Sequence, residues 1–297
     1  MIFLHTPVML KEALEYLKIQ ENGIYVDATL GGGGYTQEIL KGLGNAGKLI
    51  SIDRDLEAVK NAVTLFENEK RISVVRGNFT QISQILKEKN IEEIDGIVFD
   101  LGVSSNQLEQ AERGFSFMHN ARLDMRMDSR ERTDAQELVN ELSESELEKI
   151  LRDYGQEWFS ARIARNIVKQ REIKRIETTQ ELVNIVKRSV PRHKWPKRVN
   201  VATKTFQAIR IKVNDEIENL RKALEDSVGL MRKNARIVVV SYHSLEDKTV
   251  KRFFKEKSSG DEKTIEVLTK KPLEPDEEEV ALNNRSRSAK LRAARKL

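Results

Sequence analysis

Three carboxylates, Asp27, Asp53 and Asp100, each close a short apolar run, and the first is followed at once by the glycines at 31–34. Glycines behind a strand let the turn take positive φ and let a ligand reach main chain where a Cβ would collide. A carboxylate at the next strand's end, about twenty residues on, suits the two hydroxyl protons of a ribose. Together they point to an adenosine-bearing cofactor. The spacing G-x-G-x-x-G is incomplete, because with Gly31 and Gly33 as its first members the third falls on Thr36. Asp27, just ahead of the turn, would repel a pyrophosphate and attract a cationic ligand end. Both details favour S-adenosylmethionine over NAD, although a nicotinamide-dependent oxidoreductase stays open. Phe79, after the third run, either stacks on adenine or packs in the core. Asp100, after the fourth, either accepts from an exocyclic amine or caps a turn.

Those ends need a scaffold. The runs at 24–28, 48–53, 72–77 and 95–102 alternate with stretches of helical spacing, the pattern of βαβ units on a parallel sheet. Residues 9–18 form a helix ahead of them. From 107 to about 207 no strand is expected. Helix starts are legible there, at Ser143 with Glu146 and at Thr178 with Glu181, where hydroxyl and carboxylate cap each other's amides. One long helical pattern then runs from 205 to 231, a strand follows at 235–242, and a helix starts near Ser244. The tail offers TIEVLT as a last strand. The fold class is therefore α/β, a doubly wound sheet interrupted by an all-helical insertion.

Composition narrows the chemistry. The chain of 297 residues has no cysteine and four histidines without ligand spacing, so thiolate chemistry is excluded and no metal is expected. No apolar stretch is long enough to span a bilayer, so a soluble cytoplasmic protein with no membrane association is expected. Net charge is only +5, but residues 182–214 hold nine Lys and Arg and no acid, and 280–297 hold six and no acid. Such clusters neutralise phosphates; solvated helix faces and a frayed tail would carry the same residues.

DLGVSSNQL (100–108), AERGFSF (111–117), LDMRMD (123–128), TKTFQAIRIKVN (203–214) and SYHSLEDKTVKRF (241–253) together resemble the family of ribosomal small-subunit RNA cytosine-N4 methyltransferases, called RsmH or MraW. The resemblance extends from His5-Thr6-Pro7-Val8 to the closing Arg-Ser-Arg-Ser-Ala-Lys-Leu-Arg. It implies a Rossmann-like class I methyltransferase domain formed by 1–108 and 209–297, with a helical domain, 109–208, that recognises RNA. It further implies S-adenosyl-L-methionine as cofactor and methylation of N4 of a cytidine, number 1402, in the decoding region of 16S ribosomal RNA in the small ribosomal subunit. The family's cofactor contacts carry over to Gly33, Gly34, Tyr35, Asp53, Phe79, Asp100 and Gln107. This chain has Tyr35 where the family usually has histidine, a ring that can also hydrogen-bond but cannot become charged near neutrality, and Ala121-Arg122 where Gly-Pro is usual. A homodimer is compatible with the sequence.

Methyl transfer to cytosine N4 requires drawing a delocalised lone pair out of the ring, which an acceptor aimed at the amine protons assists. Asp100 is the candidate catalytic group, with cofactor binding as its alternative role. Ser241-Tyr242-His243-Ser244 would line the target side, or Ser244 would cap the following helix. Arg113, Phe115, Phe117, Arg122 and Arg126 in 112–128 offer planes on which splayed bases stack, unless that loop packs internally with Arg126 and Asp128 paired. His193 to Arg198 would hold the flanking backbone. A non-catalytic RNA-binding factor on the same scaffold is the remaining alternative.

Overall fold

The computed structural model describes residues 7–197 and 199–297; His5, Thr6 and Arg198, named above, lie outside the described residues. The chain divides into two compact units, Met1–Gly102 with Ile217–Leu297, and Val103–Glu216. The boundaries at 102/103 and 216/217 differ from the 108/109 and 208/209 expected above, because Val103 and Leu108 at one crossing, and Phe206, Ala208 and Ile209 of the helix Thr203–Val213 at the other, pack with the helical unit's core.

The first unit is a seven-stranded sheet of β1 (Ile24–Asp27), β2 (Lys48–Asp53), β3 (Ile72–Arg76), β4 (Ile94–Asp100), β5 (Met231–Ser241), β6 (Ile265–Val267) and β7 (Lys290–Lys296). Its order is β3-β2-β1-β4-β5-β7-β6. The first five strands are parallel, whereas β7 runs antiparallel to both of its neighbours. A parallel sheet must be covered on both faces, and strand alternation supplies both. Ile97, Phe99, Ile237 and Val239 point into one apolar layer, while Val98, Val238 and Val240 point into the other.

The tail does not fray. TIEVLT supplies only the edge strand β6, and the last strand in sequence enters between β5 and that edge. Its basic residues are therefore structural. Arg292 is buried and pairs with Asp247 (2.7 Å), and Arg295 pairs with Glu266 (2.5 Å). Lys296 donates to the Val228 carbonyl (3.0 Å). Arg285 and Arg287 stay exposed in the 3-10 turn Asn284–Ser288.

The second unit packs Ala135–Glu141, Glu144–Asp153, Ser160–Ile173, Thr179–Ser189 and Thr203–Val213 around Leu147, Ile163, Leu182 and Ile209. Both expected capping boxes are present. Among its described residues there is no strand, only an isolated bridge between Arg122 and Thr178. The single long helix expected from 205 to 231 is two helices, Thr203–Val213 and Glu216–Leu230. Asn214 breaks the pattern, since its side chain bonds to Met125 and Met127 main chain (2.8 Å each) and Asp215 then turns at φ 43°.

Candidate active site

The sheet reverses its order between β1 and β4, and in open α/β sheets ligands bind outside the strands' carboxyl ends at that point. Hydrogen bonds stitch those ends together. The Ala28 amide donates to Val98, Leu30 to Ile52 and Gly77 to Asp53, all onto carbonyls at 2.9–3.0 Å. The Asp100 amide donates to the Thr29 hydroxyl (2.6 Å).

Within the glycine turn, Gly31 has φ 49° and Gly33 φ 81°, conformations that L side chains rarely adopt. A Cβ at Gly32 would meet nothing within 4 Å, so bare main chain faces open space there. The helix Gly34–Gly42 begins next, and its first-turn amides, including those of Gly34 and Tyr35, lack intrahelical acceptors.

Asp53 sets this turn from the next strand. Its Oδ2 accepts from the Gly31 amide and its Oδ1 from the Asp55 amide (both 2.8 Å). A carboxylate has about four acceptor positions, so acceptor capacity remains beside the two amides. Burial pushes its carboxyl above the ordinary range against the pull of those bonds.

Phe79 opens a 3-10 turn capped reciprocally by Asn78 and Gln81. It is half-buried, with its ring edge-on to Phe99 at 5.7 Å. The core contact fixes the ring, and the rest of it stays accessible.

Asp100 is half-buried and accepts from the Tyr242 hydroxyl (2.6 Å). Burial pushes its carboxyl up to about 7; the tyrosine bond opposes this, and the charges of Asp27 and Glu246 add to it. The partner comes from beyond the end of β5, which lies alongside β4 with Val240 opposite Asp100. Sequence reasoning singled out Tyr242 as a lining residue but missed this bond. The signal available was an aromatic hydroxyl two positions past that register.

Two expectations need correction. Asp27 does not face a ligand: it is fully buried, accepting from the Thr36 hydroxyl (2.7 Å) and the Thr29 amide (3.2 Å). Thr36, in hydrogen-bond contact with Ser51 as well (2.7 Å), fills with a polar contact the place where a dinucleotide fold uses a third glycine. Burial pushes Asp27 up to about 6. The Tyr35 ring also points inward, its hydroxyl donating to the Val8 carbonyl, so its side chain belongs to the core and only its amide faces the turn.

Ser244 is not the helix cap. His243 is, with its Nδ1 accepting from the Glu246 amide (3.3 Å) while Glu246 accepts from the amides of Tyr242 and His243. The box counts back from Glu246, one residue earlier than expected.

Gln107 belongs to the helical unit, where it forms a reciprocal box with Ser104 at the start of Ser105–Glu109. In the same unit the 112–128 loop is engaged internally. Arg113 donates to the carbonyls of Arg126 and Met127, Phe115 is buried, and Phe117 packs edge-on against Phe206 at 5.5 Å. LDMRMD alternates Leu123, Met125 and Met127 into the core, with Asp124 and Arg126 half-buried between them and Asp128 buried at the end. Arg126 pairs with Asp124 rather than Asp128, which takes Arg130. In the basic stretch Arg210 pairs with Glu216 and Lys212 with Asp215. Arg192, His193, Lys194 and Lys197 are exposed and have no acidic partner among the described residues.

A family model described as the MraW methylase family matches residues 2–297. The chain belongs to this family. It is 48% identical over 310 residues to the protein named ribosomal RNA small subunit methyltransferase H of Clostridium botulinum (strain Kyoto / Type A2), covering 100% of both chains. To the protein of the same name from Caldicellulosiruptor saccharolyticus it is 45% identical, covering 99% of each. Among solved structures, an rRNA methylase from Streptococcus thermophilus aligns with 97% of this chain and 93% of its own at 11% identity and a TM-score of 0.45. Among the described residues no helix is long and apolar enough to cross a membrane.

Proposed function

We propose that this chain is a cytoplasmic methyltransferase that uses S-adenosyl-L-methionine to methylate N4 of a cytidine, 1402 by family resemblance, in 16S ribosomal RNA of the small subunit. The observation that carries the reading is the convergence of the bare turn at 31–34, Asp53, Phe79 and Asp100 on one sheet edge at the switch point. Family membership and the relatives' names support the methyl transfer and the ribosomal RNA.

The residues fit the cofactor: Asp53 takes the ribose diol, Phe79 packs on adenine, and the turn at 31–34 admits the ligand close to main chain. When bound, S-adenosyl-L-methionine supplies a methyl group already activated on a sulfonium, so the protein's work is alignment and exclusion of water. Asp100, ionised and aimed by Tyr242, accepts a hydrogen bond from the amine as its lone pair leaves the ring. The exposed cations of 187–197 hold the RNA backbone.

Mass mapping of methylated nucleotides on small subunits incubated with protein and cofactor tests this reading. One new methyl on a cytidine N4 is expected; no incorporation, or methyl on another atom, would overturn it. Asp53→Ala is expected to weaken cofactor binding about tenfold to a hundredfold by calorimetric titration, because charged hydrogen bonds to the diol and the Gly31 anchor disappear together. Unchanged affinity would remove Asp53 from the site. Changing Lys194 and Lys197 to alanine should weaken RNA binding and reduce the slope of log affinity against log salt by roughly 0.7 for each phosphate that is no longer neutralised. An unaltered slope would remove the basic stretch from the interface.

A further inference from the structure

The helical unit carries one aromatic side chain that neither its core nor its cap structure explains. Trp158 is 88% exposed on the turn between Glu144–Asp153 and Ser160–Ile173. The chain's other tryptophan, Trp195, is half-buried and donates from Nε1 to the Val190 carbonyl (3.0 Å). Scattered apolar residues on a surface are ordinary. The neighbours of Trp158 are not.

Lys204 Nζ donates to the carbonyl of Gln156 (3.1 Å), two residues before the indole. Arg162, four residues after it and in the first turn of the next helix, reaches the carbonyl of Arg188 (3.5 Å). From Arg188 the chain passes into the exposed turn of Arg192, His193 and Lys194. Nearby acids are already engaged: Glu157 is buried and accepts from the Phe159 amide (3.1 Å), and Asp153 pairs with Arg152 (3.2 Å).

We propose that Trp158 is a stacking platform for an unpaired base of the RNA strand flanking the target nucleotide, with Arg162, Arg188, Lys194 and Lys204 against its phosphates. The inference rests on the RNA reading above and names the aromatic contact within it. Single strands are gripped by an aromatic face set in a cationic track, since every base has a π-face and every linkage a charge. Tryptophan and arginine serve protein interfaces as well, but lysine is depleted there, so the exposed Lys194 and Lys204 favour a polyanionic strand. The phenylalanines of 112–128, which the sequence offered for this task, are engaged in packing.

The test uses the full chain with Trp195→Phe, so that Trp158 is its sole indole. Titration with an unstructured single-stranded RNA oligonucleotide should quench its emission. In the otherwise unaltered protein, Trp158→Ala should weaken binding about tenfold with the salt slope unchanged, and Trp158→Phe should retain most of the affinity. Unquenched emission, or equal affinity of the alanine variant, would overturn the platform while leaving RNA binding intact. If no variant binds RNA and the parent transfers no methyl group, the functional reading falls and the platform with it. Weakened binding of Trp158→Ala to the small subunit, with undiminished binding to the naked strand, would assign the indole to a protein contact and also overturn the proposal.

Discussion

Asp100→Asn is expected to lower methyl transfer by roughly a hundredfold to a thousandfold, the usual effect of removing one group that meets charge developing in a transition state. Cofactor affinity should stay near that of the parent, because asparagine keeps the size and one acceptor oxygen. The pH profile supplies a second readout. With the carboxyl pushed up to about 7, the parent's kcat/KM, which reports the free protein, should rise as pH increases through 7 and then level off. The asparagine variant should lack that limb. Stability moves the other way. Between about pH 4 and 7 folded Asp100 keeps a proton that the unfolded chain has released, so ionisation disfavours the fold and stability falls as pH rises through this window. Asp100→Asn should remove that part of the slope in urea unfolding. Near-normal turnover by the variant would end the catalytic role, and weak cofactor binding would favour the alternative role as a cofactor ligand.

Arg292→Leu should cost about 3–5 kcal/mol in unfolding free energy, because it leaves Asp247 in a buried place without its partner. Asp247→Leu should do comparable harm from the other side. The double replacement is expected to recover much of the deficit, since a buried pair itself contributes little over well-packed hydrocarbon. Denaturant curves on the three variants decide the matter: single-variant effects below about 1 kcal/mol would show that the pair is not anchoring β7 to the helix Ser244–Lys257.

Legibility in the sequence followed the range of the forces involved. β2 matches its expected span at 48–53, and β4 begins one residue early, because short apolar runs bounded by turn residues declare themselves locally. The positions of Asp53 and Asp100 at the ends of those strands, and of Phe79 just past β3, were legible for the same reason. The orientations of Asp27 and Tyr35 were not, since each is settled by a partner met only through folding, Thr36 across the strand-to-helix turn and the Val8 carbonyl 27 residues away. β7 was hidden by composition. KLRAARK reads as a solvated tail until Asp247 neutralises Arg292 and allows it inside. The break at Asn214 was invisible because helical periodicity continues on both sides of it, and only the main chain of Met125 and Met127 draws the amide out of line.

The placement of β7 between β5 and β6 bears on biosynthesis. As the polypeptide leaves the ribosome, β6 emerges before the strand that separates it from the rest of the sheet, so it has no native neighbour to join until 290–296 have followed. The helical segment 103–216, rich in local contacts, can consolidate long before that moment. An unfinished polypeptide would thus display an open flank on β5 until 290–296 have emerged to cover it.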